Sequence, residues 1–198
     1  MICAIVLAAG RSVRMGTQKL LLPLGGIPVI ARIVDELLPS PVQQAFVVIG
    51  RDGKQIREAL GSRTVSFVEN PDPEGDMLSS VRCGIGALPA SCEAALIVLG
   101  DQPGVTRQLI AQLTGAHVQK ETAIVVPEFN GKRGHPLLLG ARFFTELLQR
   151  YDGVGLQGLL NSHPEAVHRI PVGTSQVLDD MDTPEDYQRH IGLSARPK

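Results

Sequence analysis

The chain has no tryptophan, and aromatic residues make up only 4% of its 198 positions. Single-stranded nucleic acid is usually gripped by aromatic rings that stack on bases, so the scarcity argues against that role. A net charge of -1 gives no general attraction to nucleic acid or to anionic membrane surfaces. Any basic patch has to be local. Cys3, Cys83 and Cys92 are the only cysteines and show no C-x-x-C spacing, which argues against a disulfide framework or a zinc site. Cys3 lies in an apolar run and Cys83 in a helical pattern, and both read as small core residues. The histidines lack the H-x-x-x-H and H-E-x-x-H spacings of metal sites. No apolar run is long enough for a membrane span, and the first one lacks a basic leader, so a cytoplasmic protein is expected. A chain of this length suits one domain with a real core, here taken as residues 1–198, with 1–116 as a nucleotide-binding half and 117–198 as an acceptor-binding half.

What is present is concentrated in the first twenty-two residues. An apolar run from Ile2 to Leu7 breaks into Ala8, Ala9 and Gly10, and then Arg11, Arg14 and Lys19 follow in a turn-rich stretch. This reads as a buried strand feeding a loop whose backbone lies open to a ligand. Small residues expose backbone N–H groups and the cations neutralise phosphate, so a nucleoside di- or triphosphate is the expected ligand. Gly10 and Gly16 have five residues between them where a P-loop has four, and no Gly-Lys-Ser/Thr follows, so the loop is not a P-loop. The G-x-G-x-x-G of dinucleotide-binding folds is also missing.

Short apolar runs alternate with helical patterns. Strands are expected at Ile2–Leu7, Ala45–Ile49, Val65–Val68 and Ala94–Leu99. Helices are expected at Pro28–Leu38, from an Asp52 cap to Leu60, at Met77–Leu88 and at Thr106–Ala116. Such alternation implies an α/β fold with a Rossmann-like, doubly wound, mostly parallel sheet. Ligands of such sheets lie beyond the carboxyl ends of the strands, so the Ala8–Lys19 loop, the Asn70–Ser80 segment and Gly100–Pro103 should share one edge. The second half is less regular. Ala123–Val126 and Leu137–Leu139 flank an Asn130-Gly131 turn signal and read as an added antiparallel pair. Helices are expected at Arg142–Arg150 and Leu156–Leu160, short strands at Val167–Ile170 and Gln176–Leu178, and a last helix from near Pro184.

Asp101 ends an apolar strand in Leu-Gly-Asp-Gln-Pro. A carboxylate facing a phosphate loop suits Mg²⁺, which pairs one or two carboxylates with substrate phosphates. Asp179, Asp180 and Asp182 form a second acidic cluster. Thr183, Pro184 and Asp186 read as a helix cap, which leaves Asp182 available as a second carboxylate for the same ion. Ser79 and Ser80 open a helix after the turn-rich Asn70–Gly75 segment and suit either capping or contacts to a base or phosphate. His135, between Gly134 and Pro136, is either a turn residue or a contact for an anionic substrate.

With these segments in order, the chain resembles the molybdenum cofactor nucleotidyltransferases, and more closely their cytidylyltransferase branch. The resemblance runs through nearly the whole chain. It rests on Leu-Ala-Ala-Gly-x-x-x-Arg-Met-Gly-x-x-Lys-Leu-Leu-Leu-Pro-Leu (7–24), Asn-Pro…Gly-x-Met…Ser-Ser (70–80), Leu-Gly-Asp-Gln-Pro (99–103), Gly-His-Pro (134–136) and Asp-Met-Asp-Thr-Pro-Glu-Asp (180–186). It implies the nucleotidyltransferase fold of nucleotide-sugar enzymes, and transfer of CMP from CTP to molybdopterin or its molybdate form. Leu7, Ala8, Ala9 and Gly10 would frame the nucleotide, and Arg14 and Lys19 would hold the triphosphate. Ser79 and Ser80 would lie where the base is read, and Asp101 and Asp182 would bind Mg²⁺. His135, from its place on a short loop, is the candidate acceptor-binding residue. The guanylyl branch resembles Leu-Ala-Gly-Gly at the first loop, so the methyl of Ala9 favours cytosine. Other readings remain open at this level. They are a guanylyltransferase or isoprenoid-pathway cytidylyltransferase, an NADPH-dependent oxidoreductase, and a chaperone that hands cofactor to a molybdenum enzyme. Neither nucleic acid nor membrane is expected as a partner.

Overall fold

A computed structural model describes residues 1–10, 15–51, 53–72, 74–119 and 123–194. The first strand shows why the chain folds as it does. β1 (Ile2–Ala8) alternates its side chains between two faces, and both faces are covered. Ile2, Ala4, Val6 and Ala8 enter one core, and Ile5 enters the other. A strand buried on both sides reads as a continuous apolar run, and that is the pattern in the sequence.

After β1 comes a small hairpin, β2 (Pro23–Leu24) and β3 (Ile27–Pro28). Then follow α1 (Val29–Leu37), β4 (Gln44–Ile49), α2 (Gly53–Leu60), β5 (Ser66–Glu69), α3 (Met77–Gly86), β6 (Ala94–Leu99) and α4 (Arg107–Gln119). The second half adds β7 (Ile124–Phe129), β8 (Lys132–Arg133), β9 (Leu137–Gly140), α5 (Phe144–Gln149), α6 (Gly155–Ser162), β10 (Val167–Pro171) and α7 (Pro184–Ser194).

The main sheet runs β10-β7-β9-β6-β1-β4-β5, with β8 paired to β7. β1 pairs in parallel with both β4 and β6, and β4 with β5. β9 is antiparallel to both β6 and β7, which is the expected antiparallel insertion. Residues of α1, α2 and α4 fill the core on one face, and residues of α3, α5 and α6 fill the other. A third, small cluster joins Cys3, Phe46 and Cys92. Among the described residues no helix is long and apolar enough to cross a membrane.

Four expectations need correction. Pro28 does not begin a helix; it ends β3 with extended backbone and caps Val29. Gly25 and Gly26 both have positive φ (66° and 87°), the requirement of a two-residue hairpin turn, and that turn places Pro28 in a strand. Gln176–Leu178 is part of a 3₁₀ turn, Ser175–Leu178, opened by the Thr174 hydroxyl, and not a strand. Cys83 is half-buried at the edge of the second core, not inside it. The hydroxyls of Ser79 and Ser80 do not cap α3; Asp76 does, accepting a bond from the Ser79 N–H at 2.8 Å. The expected Asp52 cap of α2 lies outside the described residues.

Candidate active site

Chain order along the sheet reverses beside β1: the path goes from β1 outward to β4 and β5, then returns to β6 on its other side. At such a switch point the connections leave in opposite directions and open a crevice at the strands' carboxyl ends. A cavity of about 460 Å³ lies there. Leu7 and Leu99, paired across β1 and β6, form part of its wall with Ala9, Gly10, Lys19, Gly75 and Ser80. Asp101, Asp180 and Asp182 line it as well. The three segments expected to share an edge do so, although they are far apart in the chain.

Local structure explains how the acidic groups converge. Gly100 donates its N–H to the Leu7 carbonyl at 3.0 Å, and a Cβ there would lie 2.5 Å from that oxygen. The strands can therefore close at this point only with glycine, and Asp101 emerges directly at the crevice. The Met181 N–H donates to the Asp101 carbonyl at 3.0 Å and ties the late acidic segment to the end of β6. Buried Gln102 donates from Nε2 to Asp180 Oδ1 at 2.6 Å. Downstream, Asp186 N–H donates to the Thr183 hydroxyl at 3.2 Å, while Asp186 Oδ2 accepts from the N–H of Thr183 (2.9 Å) and of Asp182 (3.1 Å). This capping box starts α7 and fixes Asp182 just before it.

At the centre is Lys19. Its Nζ donates to Asp101 Oδ2 at 2.5 Å and to Asp182 Oδ1 at 2.8 Å, with the lysine side chain only 12% exposed. Burial by itself would lower the Lys19 pKa, but the Asp101 and Asp182 carboxylates more than offset it and hold the ammonium above its ordinary value. Asp180 is pushed upward, first by burial and then by the like charges of Asp101 and Asp182, against the Gln102 bond and the Lys19 charge.

No group of three or more histidine, cysteine or acidic side chains among the described residues has the geometry of a complete metal cage. Mg²⁺ does not require one, because it keeps waters and substrate phosphates beside one or two carboxylates. Asp101 and Asp182 already bring oxygens to a single cation, the Lys19 ammonium, and this donor set fits a hard divalent ion.

The other expected residues fall in four groups. Leu7, Ala9, Gly10 and Ser80 line the crevice. Ala8 is 3% exposed and packs into the core, and Ser79 is not part of the wall. Arg11 and Arg14 lie outside the described residues. His135 is elsewhere: it lines a second cavity of about 370 Å³, which shares Asp76 and Met77 with the first. Its N–H donates to the Val177 carbonyl at 2.9 Å. Burial pushes its imidazole down to about 4, with the Asp101 charge opposing weakly, so the ring is neutral at pH 7.

Three residues contribute in ways that the sequence did not assign. Asn70, 8% exposed, donates from Nδ2 to the hydroxyls of Ser79 (2.9 Å) and Ser80 (3.1 Å) and so orients the start of α3. Gln102 and Asp180 form a hydrogen-bonded pair. Gln102 stands in the Leu-Gly-Asp-Gln-Pro motif with no role of its own there, and a partner contact across the fold leaves no mark in spacing.

A doubly wound sheet with a polar, carboxylate-lined crevice at its switch point is the arrangement of the α/β nucleotidyltransferases that this chain matches. The chain belongs to the MobA-like NTP transferase domain family, which matches residues 4–167. It is 24% identical over 189 residues to the molybdenum cofactor cytidylyltransferase of Escherichia coli, covering 92% of each chain. A solved nucleotidyl transferase from Methanothermobacter superposes with a TM-score of 0.84 at 25% identity, covering 98% of this chain and 97% of that one. A Mycobacterium tuberculosis protein solved in complex with manganese gives a TM-score of 0.82 at 26% identity, covering 96% and 97%.

Proposed function

We propose that the chain transfers CMP from CTP to the terminal phosphate of molybdopterin or its molybdate form. The observation that carries this reading is the convergence of Lys19, Asp101 and Asp182 at the mouth of the switch-point crevice. The likeness to the Escherichia coli cytidylyltransferase supports the substrate pair. The acceptor phosphate is already a nucleophile at neutral pH, so no protein nucleophile is needed. One of its oxygens bonds to the α-phosphorus of CTP, the bond from that phosphorus to the bridging oxygen of the β-phosphate breaks, and pyrophosphate leaves with the electron pair.

The work of the chain is alignment and charge stabilisation. Leu7, Ala9 and Gly10 frame the nucleotide, and the Ala9 methyl narrows the space for the base. Ser80, held by Asn70, presents a hydroxyl to it. Lys19, with Arg14, holds the leaving pyrophosphate. Asp101 and Asp182 hold Mg²⁺, which when bound supplies charge neutralisation on the substrate phosphates. Residues 1–116 then serve the nucleotide and 117–198 the acceptor, apart from Asp180 and Asp182, which return to the nucleotide side.

Thermal shifts with CTP, GTP, ATP, UTP and NADPH, each with and without Mg²⁺, test the reading. A ligand at about 100 times its Kd adds about 2.7 kcal/mol. For a chain of this size that is roughly 5–11 °C, from about 2–4 °C per kcal/mol. A Mg²⁺-dependent shift with CTP alone is expected. A shift with GTP moves the chain to the guanylyl branch, and a shift with NADPH alone overturns the transferase reading. Asp101→Ala should lose on the order of 100- to 1,000-fold in kcat, as when one preorganised transition-state contact is removed. Activity within tenfold of wild type would defeat the metal role.

A further inference from the structure

The second cavity has a construction of its own. Its side walls are aliphatic, from Val126 and Leu137 of the sheet and Leu156 and Leu160 of α6. Its polar side chains are few: Arg133, His135, Gln157 and Asp76, whose carboxylate accepts from the Ser79 N–H at the start of α3. Nδ1 of His135 is shut off from solvent and has no hydrogen-bond partner among the described residues. An unpaired buried polar atom costs about 1–3 kcal/mol, and a turn of the ring that brings this nitrogen to a ligand in the cavity removes the cost. The Arg133 guanidinium reaches Asn161 Oδ1 only at 3.5 Å, the outer limit of a hydrogen bond, so it is weakly engaged and can turn toward an anion.

The outer wall is a strap, residues 151–155, and it is strained. Tyr151 has a φ of 78°, unusual for any residue with a side chain, and Gly153 and Gly155 stand at 75° and 60°. Such a conformation persists only where its surroundings enforce it, and it tends to mark a binding site. The enforcing residue is Arg82 of α3. Its Nε donates to the Leu147 carbonyl at 2.9 Å, its Nη2 to the Arg150 carbonyl at 2.7 Å, and its Nη1 to Asp152 Oδ1 at 2.6 Å. The Tyr151 hydroxyl is held as well, donating to Glu146 Oε1 at 2.5 Å. The helix that carries Met77 and Ser80 into the nucleotide crevice therefore also fixes the wall of the neighbouring cavity.

We propose that the second cavity binds a planar nitrogen heterocycle bearing an anionic group, with the His135 imidazole pairing its polar edge, Arg133 facing its anion, and Arg82 acting as a positioning residue that keeps the strap closed over it. This rests on the proposed function, in which the acceptor is a pterin carrying a phosphate. Apolar side walls suit the faces of a ring, and a small polar set suits its edge. The neutral imidazole offers one nitrogen as donor and one as acceptor, matching the alternation of N–H and ring nitrogen along such an edge. Because the two cavities share Asp76 and Met77, a ring seated here is next to the bound nucleotide.

The test is equilibrium binding of 6-carboxypterin, followed by its fluorescence, which requires neither turnover nor metal. Wild type is expected to bind it. His135→Leu and Arg82→Ala should each weaken binding on the order of tenfold, the equivalent of one good hydrogen bond, whereas His135→Gln stays within about threefold. CTP affinity, measured in parallel, should be unchanged in all three, a split that general loosening of the fold would not produce. If Arg82→Ala does not fold, Val154→Glu replaces it, because Val154 is 59% exposed and tolerates the change. The new carboxylate on the strap should repel the anionic pterin. No binding to wild type, or equal binding to His135→Leu, overturns the inference even if CTP binds. Pterin binding with these losses supports it even if CTP fails to bind and the cytidylyl reading falls.

Discussion

Replacing Lys19 by Met keeps most of the side-chain stem and removes the charge. In the native site that charge lies between Asp101 and Asp182, whose side chains are 22% and 28% exposed. Losing one partner of a fully buried ion pair costs about 3–5 kcal/mol. Exposed pairs are worth about 0.2–1 kcal/mol. The geometry here is tight but part of it meets solvent, so a loss of about 2 kcal/mol is expected in the metal-free protein. That lowers Tm by roughly 4–8 °C, at about 2–4 °C per kcal/mol. Scanning calorimetry in a chelator measures the drop. A titration with Mg²⁺ then separates two effects. In wild type a divalent ion has to compete with the ammonium for the same oxygens, whereas in Lys19→Met it meets two uncompensated carboxylates. Mg²⁺ should therefore raise Tm more in the variant than in wild type, while kcat falls on the order of 100- to 1,000-fold because the leaving phosphates lose a cation. An unchanged Tm in chelator, together with an equal Mg²⁺ response in the two proteins, would refute the shared-site argument.

Gly84 of α3 lies so close to β1 that an added Cβ would overlap the Ile5 side chain, whereas Gly86, two residues on, meets nothing within 4 Å. Gly84→Ala should thus destabilise by about 1–3 kcal/mol through overpacking, and Gly86→Ala should stabilise by about 0.5 kcal/mol through helix propensity, both read from urea midpoints. His135 titrates near 4 in the fold against 6.5 unfolded, so between those values the unfolded chain binds the extra proton. Stability should fall as pH drops from 6.5 to 4, by up to about 3 kcal/mol for this residue. Burial pushes His117 and His190 the same way, so His135→Gln should flatten the acid slope without abolishing it. An unchanged slope would place the residue in water. On the proposed reading the Ala9 methyl narrows the space for the base, so with Ala9→Gly the ratio of kcat/KM for CTP over GTP should fall by on the order of 10- to 200-fold, the usual worth of one methyl-sized contact.

The class of fold was written in local patterns. Runs such as Ile2–Leu7 and Ala94–Leu99 are apolar throughout because the sheet is covered on both sides, and this leaves few architectures open. Lys19 of the first loop, the Asp101 strand end and the Thr183 capping box were legible because each belongs to a local device with its own residue grammar. Elements with weaker patterns were misread. The Gly25-Gly26 turn was overlooked beside Pro28, and the three apolar or amide side chains of Gln176–Leu178 suit a strand or a 3₁₀ turn equally well.

The sequence alone determined the layered α/β architecture and the chemical character of the crevice, because periodicity and motif act over a few neighbouring residues. Tertiary structure decided that Lys19 pairs with two aspartates, one 82 and one 163 residues away. It also decided that Gln102 holds Asp180, and that His135 lines a different cavity from the switch-point crevice of Leu7, Ala9 and Lys19. Such contacts depend on where the chain returns after long excursions. That is fixed by the packing of the whole sheet and its helices, and no short stretch of sequence carries it.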